Sequence, residues 1–303
     1  MPADVSTPPA WPQGPAAPLP RTVTPFRGET VQSYLDRLAH ANHLEPRGLR
    51  RYLADGPAIC RPRPDWLATA SGQPVGILHA RLIGLAAPDR DTTRQRRHAR
   101  PACRLCMARR GVYEPVYCWL PDYATVCCRH RRWIGAGTST LDDQRDLRCA
   151  PAVIAAAQRH ARLDRCHGDA ARFAVRDAAR IHRCWARSTS PFTLPPARAD
   201  ADTHIGAYPD LIALAAILAG AHRRIWGTAP ATPARARAVD AVYVNVSARF
   251  PQHRDQTRPI EQWIHDQQLS ATRRAHHFDA WKPRPGQSPR SPCPAGPAGR
   301  RQG

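Results

Sequence analysis

The sequence predicts a mainly α protein that carries one small, cysteine-organised insert, and three observations lead there. Apolar residues recur at helical spacing along most of the 303-residue chain. Strand-like composition is confined to one segment, at Val112, Tyr113, Val116, Tyr117, Trp119, Thr125 and Val126. That same segment holds half of the ten cysteines, from Cys103 to Cys128, with His130 close behind. The expected organisation is a Pro/Ala tail over 1–20, a helix-turn-helix-like region over 21–100, a zinc-ribbon or finger insert over 101–135, C-terminal helices over 136–281 and a disordered tail over 282–303.

In order along the chain, the first helix is marked by Val31, Tyr34, Leu35 and Leu38, which fall at i, i+3, i+4 and i+7, with Thr30 or Gly28 as its cap. Asn42 to Leu44 interrupt the pattern. Pro46 then suits the first position of a second helix carrying Leu49, Tyr52 and Leu53 on one face. Two short helices around a tight turn are a helix-turn-helix candidate, and also an ordinary helical hairpin. A second pair follows, one helix ending at Gly72 and another restarting at Pro74 with Val75, Leu78, Leu82 and Leu85 on one side. Residues 88–102 read as an exposed basic linker. Beyond the cysteines, helices are expected over 151–167, with Gly168 as the stop, and over 169–187. A loop is expected over 188–204, then an apolar helix over 211–224 capped by Asp210. A Pro/Ala linker near 228–235 precedes weaker helices near 236–249 and 259–270.

Cys103-x2-Cys106 is a turn that can point two thiolates at one ion, and Cys127-x2-His130 can return two more ligands after the aromatic spacer. Soft thiolates with one imidazole in a closed tetrahedral set suit a structural Zn2+. A register using Cys128 instead is open, because Cys128-x-His130 would put both side chains on one face of a strand; Cys118 and Cys149 could also substitute. A thioredoxin-like pair should open a helix within a βαβ setting, and none surrounds Cys103. An iron–sulfur cluster would prefer four cysteines.

The 45 basic residues, all but one of them arginine, exceed the 24 acidic ones to leave a net charge of +21. That balance favours a polyanionic partner, and the guanidinium fork suits phosphate. DNA is the expected partner, with Arg47, Arg50 and Arg51 on the second helix as candidate contacts. No Gly-rich phosphate loop, HExxH motif or convergent carboxylate set is visible, so a non-enzymatic protein is expected. The longest apolar run, 211–221, is shorter than the roughly 20 residues of a membrane span. No basic-then-apolar leader opens the chain. No membrane association and a cytoplasmic location are therefore expected.

The stretch "LPRTVTPFRGETVQSYLDRLAHANHL" resembles the opening of the TniQ family through Leu19, Pro20, Gly28, Glu29, Thr30, Ser33, Tyr34, Leu35, Arg37, Leu38, Ala39, Ala41 and Asn42. The cysteine segment is similar to that family's Cys-x2-Cys, Trp region and Val-Cys-Pro-Arg-His, through Cys103, Cys106, Trp119, Val126, Cys127, Arg129 and His130. Cys128 stands where the family has proline, so the resemblance favours Cys127 as the ligand. It spans about residues 19–135. It implies a helix-turn-helix region with zinc-binding segments and no catalysis, serving as an accessory to a transposase and its ATPase at a target site. It also implies an RNA-guided complex as a docking partner in some members. A homodimer is a further arrangement compatible with this reading, and a stand-alone transcriptional regulator or a thiol oxidoreductase are the competing ones.

Overall fold

The computed structural model describes residues 14–54, 61–85, 98–189, 200–226 and 232–279. The fold is mainly α, as expected, with short strands that tie its parts together. In chain order the elements are β1 (Glu29–Thr30), α1 (Val31–Ala41), α2 (Pro46–Leu53), α3 (Pro64–Ser71), α4 (Val75–Arg81), β2 (Leu82–Ile83), β3 (His98–Pro101), α5 (Arg104–Ala108), β4 (Tyr117–Leu120), β5 (Val126–Cys127) and β6 (Arg132–Trp133). Then come α6 (Pro151–His167), α7 (Asp169–Thr189), α8 (Ala201–Trp226), α9 (Pro233–Arg249), a 3-10 turn (Pro251–His253) and α10 (Arg258–Asp279).

Thr30 caps α1 by accepting the Ser33 amide, and Glu45 caps α2, whose first residue is Pro46. Their apolar faces bury Tyr34, Leu35, Leu38, Leu49 and Leu53 against Leu67 and Leu78 of the second pair. Gly72 ends α3 in the left-handed conformation. The helix restarting at Pro74 is shorter than its periodicity suggests. Leu82 leaves it to pair with β1, so Leu82 and Leu85 reach the core from outside a helix, and Val75 is exposed. The tail expected over 1–20 is joined to the fold at its end: the Leu19 amide donates to the Ala70 carbonyl and its side chain packs on the core.

The first core is sealed by a four-stranded sheet in the order β2-β1-β4-β3. β1 is parallel to β2 and antiparallel to β4, while β3 pairs antiparallel with β4 over His98–Pro101. Strand structure thus extends beyond the cysteine segment. The final third of the expected basic linker is β3, and it straddles the expected boundary at residue 100. Strands of two residues contain too few positions for an alternation to be read.

The centre of the sheet holds a buried ion pair. Glu29, fully buried, accepts from both the Arg37 guanidinium, at 2.9 and 3.0 Å, and the Phe26 amide. Ser33 Oγ donates to Glu29 and accepts from the Tyr117 amide of β4. Burial raises the Glu29 carboxyl above its ordinary range despite the opposing pull of Arg37. Tyr34 donates to the Val23 carbonyl, and the Asn42 amide clamps both Arg21 and Leu38. Side-chain bonds thus tie α1 to the segment before it and to β4.

The C-terminal helices form a bundle around α8, against which α6, α7, α9 and α10 all pack. α8 begins at Ala201, ten residues before the expected start, and continues through Pro209. Asp210 is not its cap but a mid-helix partner of Arg249, at 3.0 Å; Asp200 caps instead, accepting the Thr203 amide. By length and composition α8 could cross a membrane. Here Ile212, Leu214, Leu218 and Ile225 are fully buried in the bundle.

Candidate metal centre

Cys103 is the N-cap of α5, a helix of one turn. At such a start the first amides have no intrahelical acceptor, and here those of Leu105 and Cys106 point at the Cys103 sulfur. The second half hangs from the β5–β6 hairpin. β5 ends on Cys127, the Arg131 amide returns to the Cys127 carbonyl at 2.7 Å, and Arg131 takes a left-handed conformation, φ 47°, that turns the chain. The His130 amide points at the Cys127 sulfur.

These two turns bring Cys103, Cys106, Cys127 and His130 together, with all four ligand atoms within 4.8 Å of one another. His130 Nδ1 lies 3.6 Å from Cys103 Sγ, 3.2 Å from Cys106 Sγ and 3.8 Å from Cys127 Sγ, and Cys106 Sγ is 3.6 Å from Cys127 Sγ. A tetrahedral zinc with bonds of about 2.1–2.3 Å places its ligand atoms about 3.5–3.8 Å apart. The donor set and its spacing fit a closed four-coordinate ion, with no position left for a substrate.

The protonation pattern reports the same crowding. A hydrogen bond from Cys103, followed in effect by the amide and ring of His130, brings the Cys127 thiol down to about 4. Cys103 is pushed up by its bond to Cys127 and by burial. Cys106 is pushed up by burial first and by Cys127 second. A divalent ion among three sulfurs this close would stabilise all of them as thiolates.

The other cysteines lie apart. Cys128 is exposed, with its sulfur 4.0 Å from the Val126 carbonyl, and Cys149 is exposed on the far side of the following loop. Cys118 is buried under the sheet with Phe26, Met107 and Val116, where burial pushes its thiol up to about 12. None of the three joins the four-residue group.

Two supports of the centre lie outside any motif. Gln144 is buried, accepts the Arg104 amide at 3.0 Å and donates to the Ala102 carbonyl at 2.9 Å, which locks the Cys103 turn. The start of α8, expected as loop, is the second. Tyr208 accepts from Thr125 Oγ1 at 2.8 Å and donates to His160 Nδ1 at 2.9 Å, and its ring meets Trp133 edge-on at 5.1 Å. Arg145 forks onto Asp202 at 3.0–3.2 Å. Val126, Trp133 and Leu147 accordingly share one core with the bundle. No sequence signal marks Gln144, and Pro209 hides the first turns of α8.

Of the three candidate DNA contacts, Arg47 and Arg51 are exposed. Arg50 is turned inward onto α1, donating to Gln32 at 2.7 Å and lying 3.6 Å from Asp36. No protein-family model, curated protein or solved structure matches the chain.

Proposed function

We propose that this chain is a zinc-stabilised, non-enzymatic DNA-binding adaptor of transposition, of the TniQ kind. The observation that carries the reading is the convergence of Cys103, Cys106, Cys127 and His130 in the register the resemblance favours; the first pair directly follows β3, in the sheet where Glu29 pairs with Cys118. The pairing of β1 with β4, beside the cysteine segment, supports reading the two stretches together. The ion is zinc and its role is architectural: it joins the α5 turn to the β5–β6 hairpin, which carries Val126 and Trp133 into the bundle core. The net charge of +21 supplies attraction for DNA, with Arg47 and Arg51 available on α2 and Arg50 held against α1. The protein works in the cytoplasm. The element's transposase and ATPase, an RNA-guided complex or a second copy of the chain are its proposed protein partners.

A transposition assay tests this reading. A transposase and ATPase of the kind proposed as its partners are supplied with a donor element, with the parent protein, with its Cys127→Ser variant, or with neither. Targeted insertion that requires the parent and fails with the variant is expected, together with about one zinc per parent chain by metal analysis. Insertion that proceeds equally without the chain, or parent protein purified without zinc, would overturn it. Regulation of a promoter with no effect on insertion would transfer the same geometry to a stand-alone regulator.

A further inference from the structure

The face of α7 turned away from the bundle carries Arg172, Arg176, Arg180, Arg183 and Arg187. At 3.6 residues per turn these five fall within about 80° of arc. Ala171, Ala174, Ala178, Ile181 and Trp185, all buried, occupy the opposite arc. The stripe therefore looks straight into solvent, and four of its five members are exposed.

An ordinary solvated helix face mixes charges of both signs. This one sets like charges against each other at Arg172/Arg176, Arg176/Arg180, Arg180/Arg183 and Arg183/Arg187, spacings of three or four residues that repel. Among the described residues, carboxylates are seen to meet part of it. Asp169 pairs with Arg172 at 2.9 Å, and Asp266 of α10 pairs with Arg180 at 3.2 Å. Arg176 lies over the half-exposed Phe173 ring at 5.1 Å, and Arg183 donates to its own helix at Ala179. At its start the stripe reaches the lip of a cavity of about 920 Å3 between insert and bundle, where Arg100, Arg172 and Arg176 outnumber Asp122 and Asp169.

From Arg172 to Arg187 the stripe is about 22 Å long at 1.5 Å per residue. A B-form strand rises about 3.4 Å per phosphate along the duplex axis while it winds around that axis, so a straight stripe of this length faces a few consecutive phosphates. Single-strand grooves interleave aromatic platforms with basic groups. On α7 the exposed Phe173 ring is already covered by Arg176. We infer that the arginine stripe of α7 is a phosphate-binding surface for duplex DNA, distinct from α2 and on the opposite side of the metal centre in the chain. The inference rests on the DNA-binding reading above and adds the surface that reading lacked.

The test is a salt titration of the full chain on a fluorescent duplex of about 30 base pairs, followed by anisotropy. Three proteins are compared: the parent, an α7 variant with Arg176→Gln, Arg180→Gln, Arg183→Gln and Arg187→Gln, and an α2 variant with Arg47→Gln and Arg51→Gln. Glutamine keeps helix propensity, and relieved repulsion offsets the lost exposed Arg180–Asp266 pair, so the α7 variant should melt near the parent temperature. Losing four phosphate contacts should make the slope of log affinity against log salt shallower by about 3 to 4. A steep parent slope that the α7 variant reproduces overturns this inference, and leaves the DNA reading standing if the α2 variant loses slope instead. A flat parent titration overturns both. A loss confined to a single-stranded oligomer, or binding to phosphatidylserine vesicles without binding to duplex, also rejects the assignment.

Discussion

At the scale of single residues, the doublet Cys127–Cys128 separates a candidate ligand from a neighbour. Cys127 ends a strand inside the four-residue group, whereas Cys128 is exposed and faces a carbonyl. Replacing Cys127 by serine should abolish stoichiometric zinc, because a closed site with one weak ligand holds the ion poorly. Replacing Cys128 should leave metal content at the parent level. Equal losses in the two variants, read by metal analysis, would count against this register. His160 gives a second residue-scale expectation. Burial pushes it down to about 4, so in the fold it stays neutral and accepts from Tyr208. Its unfolded value is near 6.5. A depressed base contributes stability that is present above pH 6.5 and lost as pH falls toward 4. At about 1.4 kcal/mol per unit the loss is on the order of 3 kcal/mol. His167, His182 and His204 are shifted in the same direction, mainly by burial. A His160→Gln variant should therefore lose part, not all, of the melting-temperature drop between pH 7 and pH 5. An unaltered drop would remove His160 from the acid response.

At the scale of elements, the join between insert and bundle depends on one close approach. Gly137 has φ +79°, and a Cβ there would sit 2.7 Å from the Ala201 backbone at the first turn of α8. Gly137→Ala should destabilise the protein by more than about 1 kcal/mol, through both the strained φ and the clash. It should also weaken the Arg145–Asp202 fork across the same seam. Chemical denaturation gives the first quantity. A variant as stable as the parent would mean the α8 start can retreat freely. The long helices were legible because their apolar faces repeat over many turns, as Ala174, Ala178, Ile181 and Trp185 do in α7. The metal group was legible because ligand chemistry limits which residues can converge. The rest was hidden for stated physical reasons. Pro209 reads as a helix stop, yet α8 runs through it. β1 and β2 are too short for any period, and Gln144 acts through a contact 40 positions away in the chain, on the Arg104 amide.

At the scale of the whole molecule, the metal group stands between two cores. Behind it the sheet joins β4 to the N-terminal helices, and ahead of it Val126 and Trp133 enter the bundle. Zinc in small finger domains contributes on the order of 10 kcal/mol to folding. Chelation at neutral pH should thus open the segment between β3 and β6 to proteolysis and lower the melting temperature of both flanking parts, not of one alone. An identical melting profile and digestion pattern with and without chelator would exclude that coupling. The sheet order has a further consequence for a chain emerging from the ribosome. β1 lies between β2 and β4, and its partner Cys118 is 89 positions downstream of Glu29. At roughly 5–20 residues per second, that gap is on the order of 5 to 20 seconds of synthesis. Throughout it the nascent helices carry a charged pair, Glu29–Arg37, beside an open strand edge. The amino-terminal part is thus finished last at its own centre, and a message truncated before β4 releases helices that a chaperone must hold or a protease must clear.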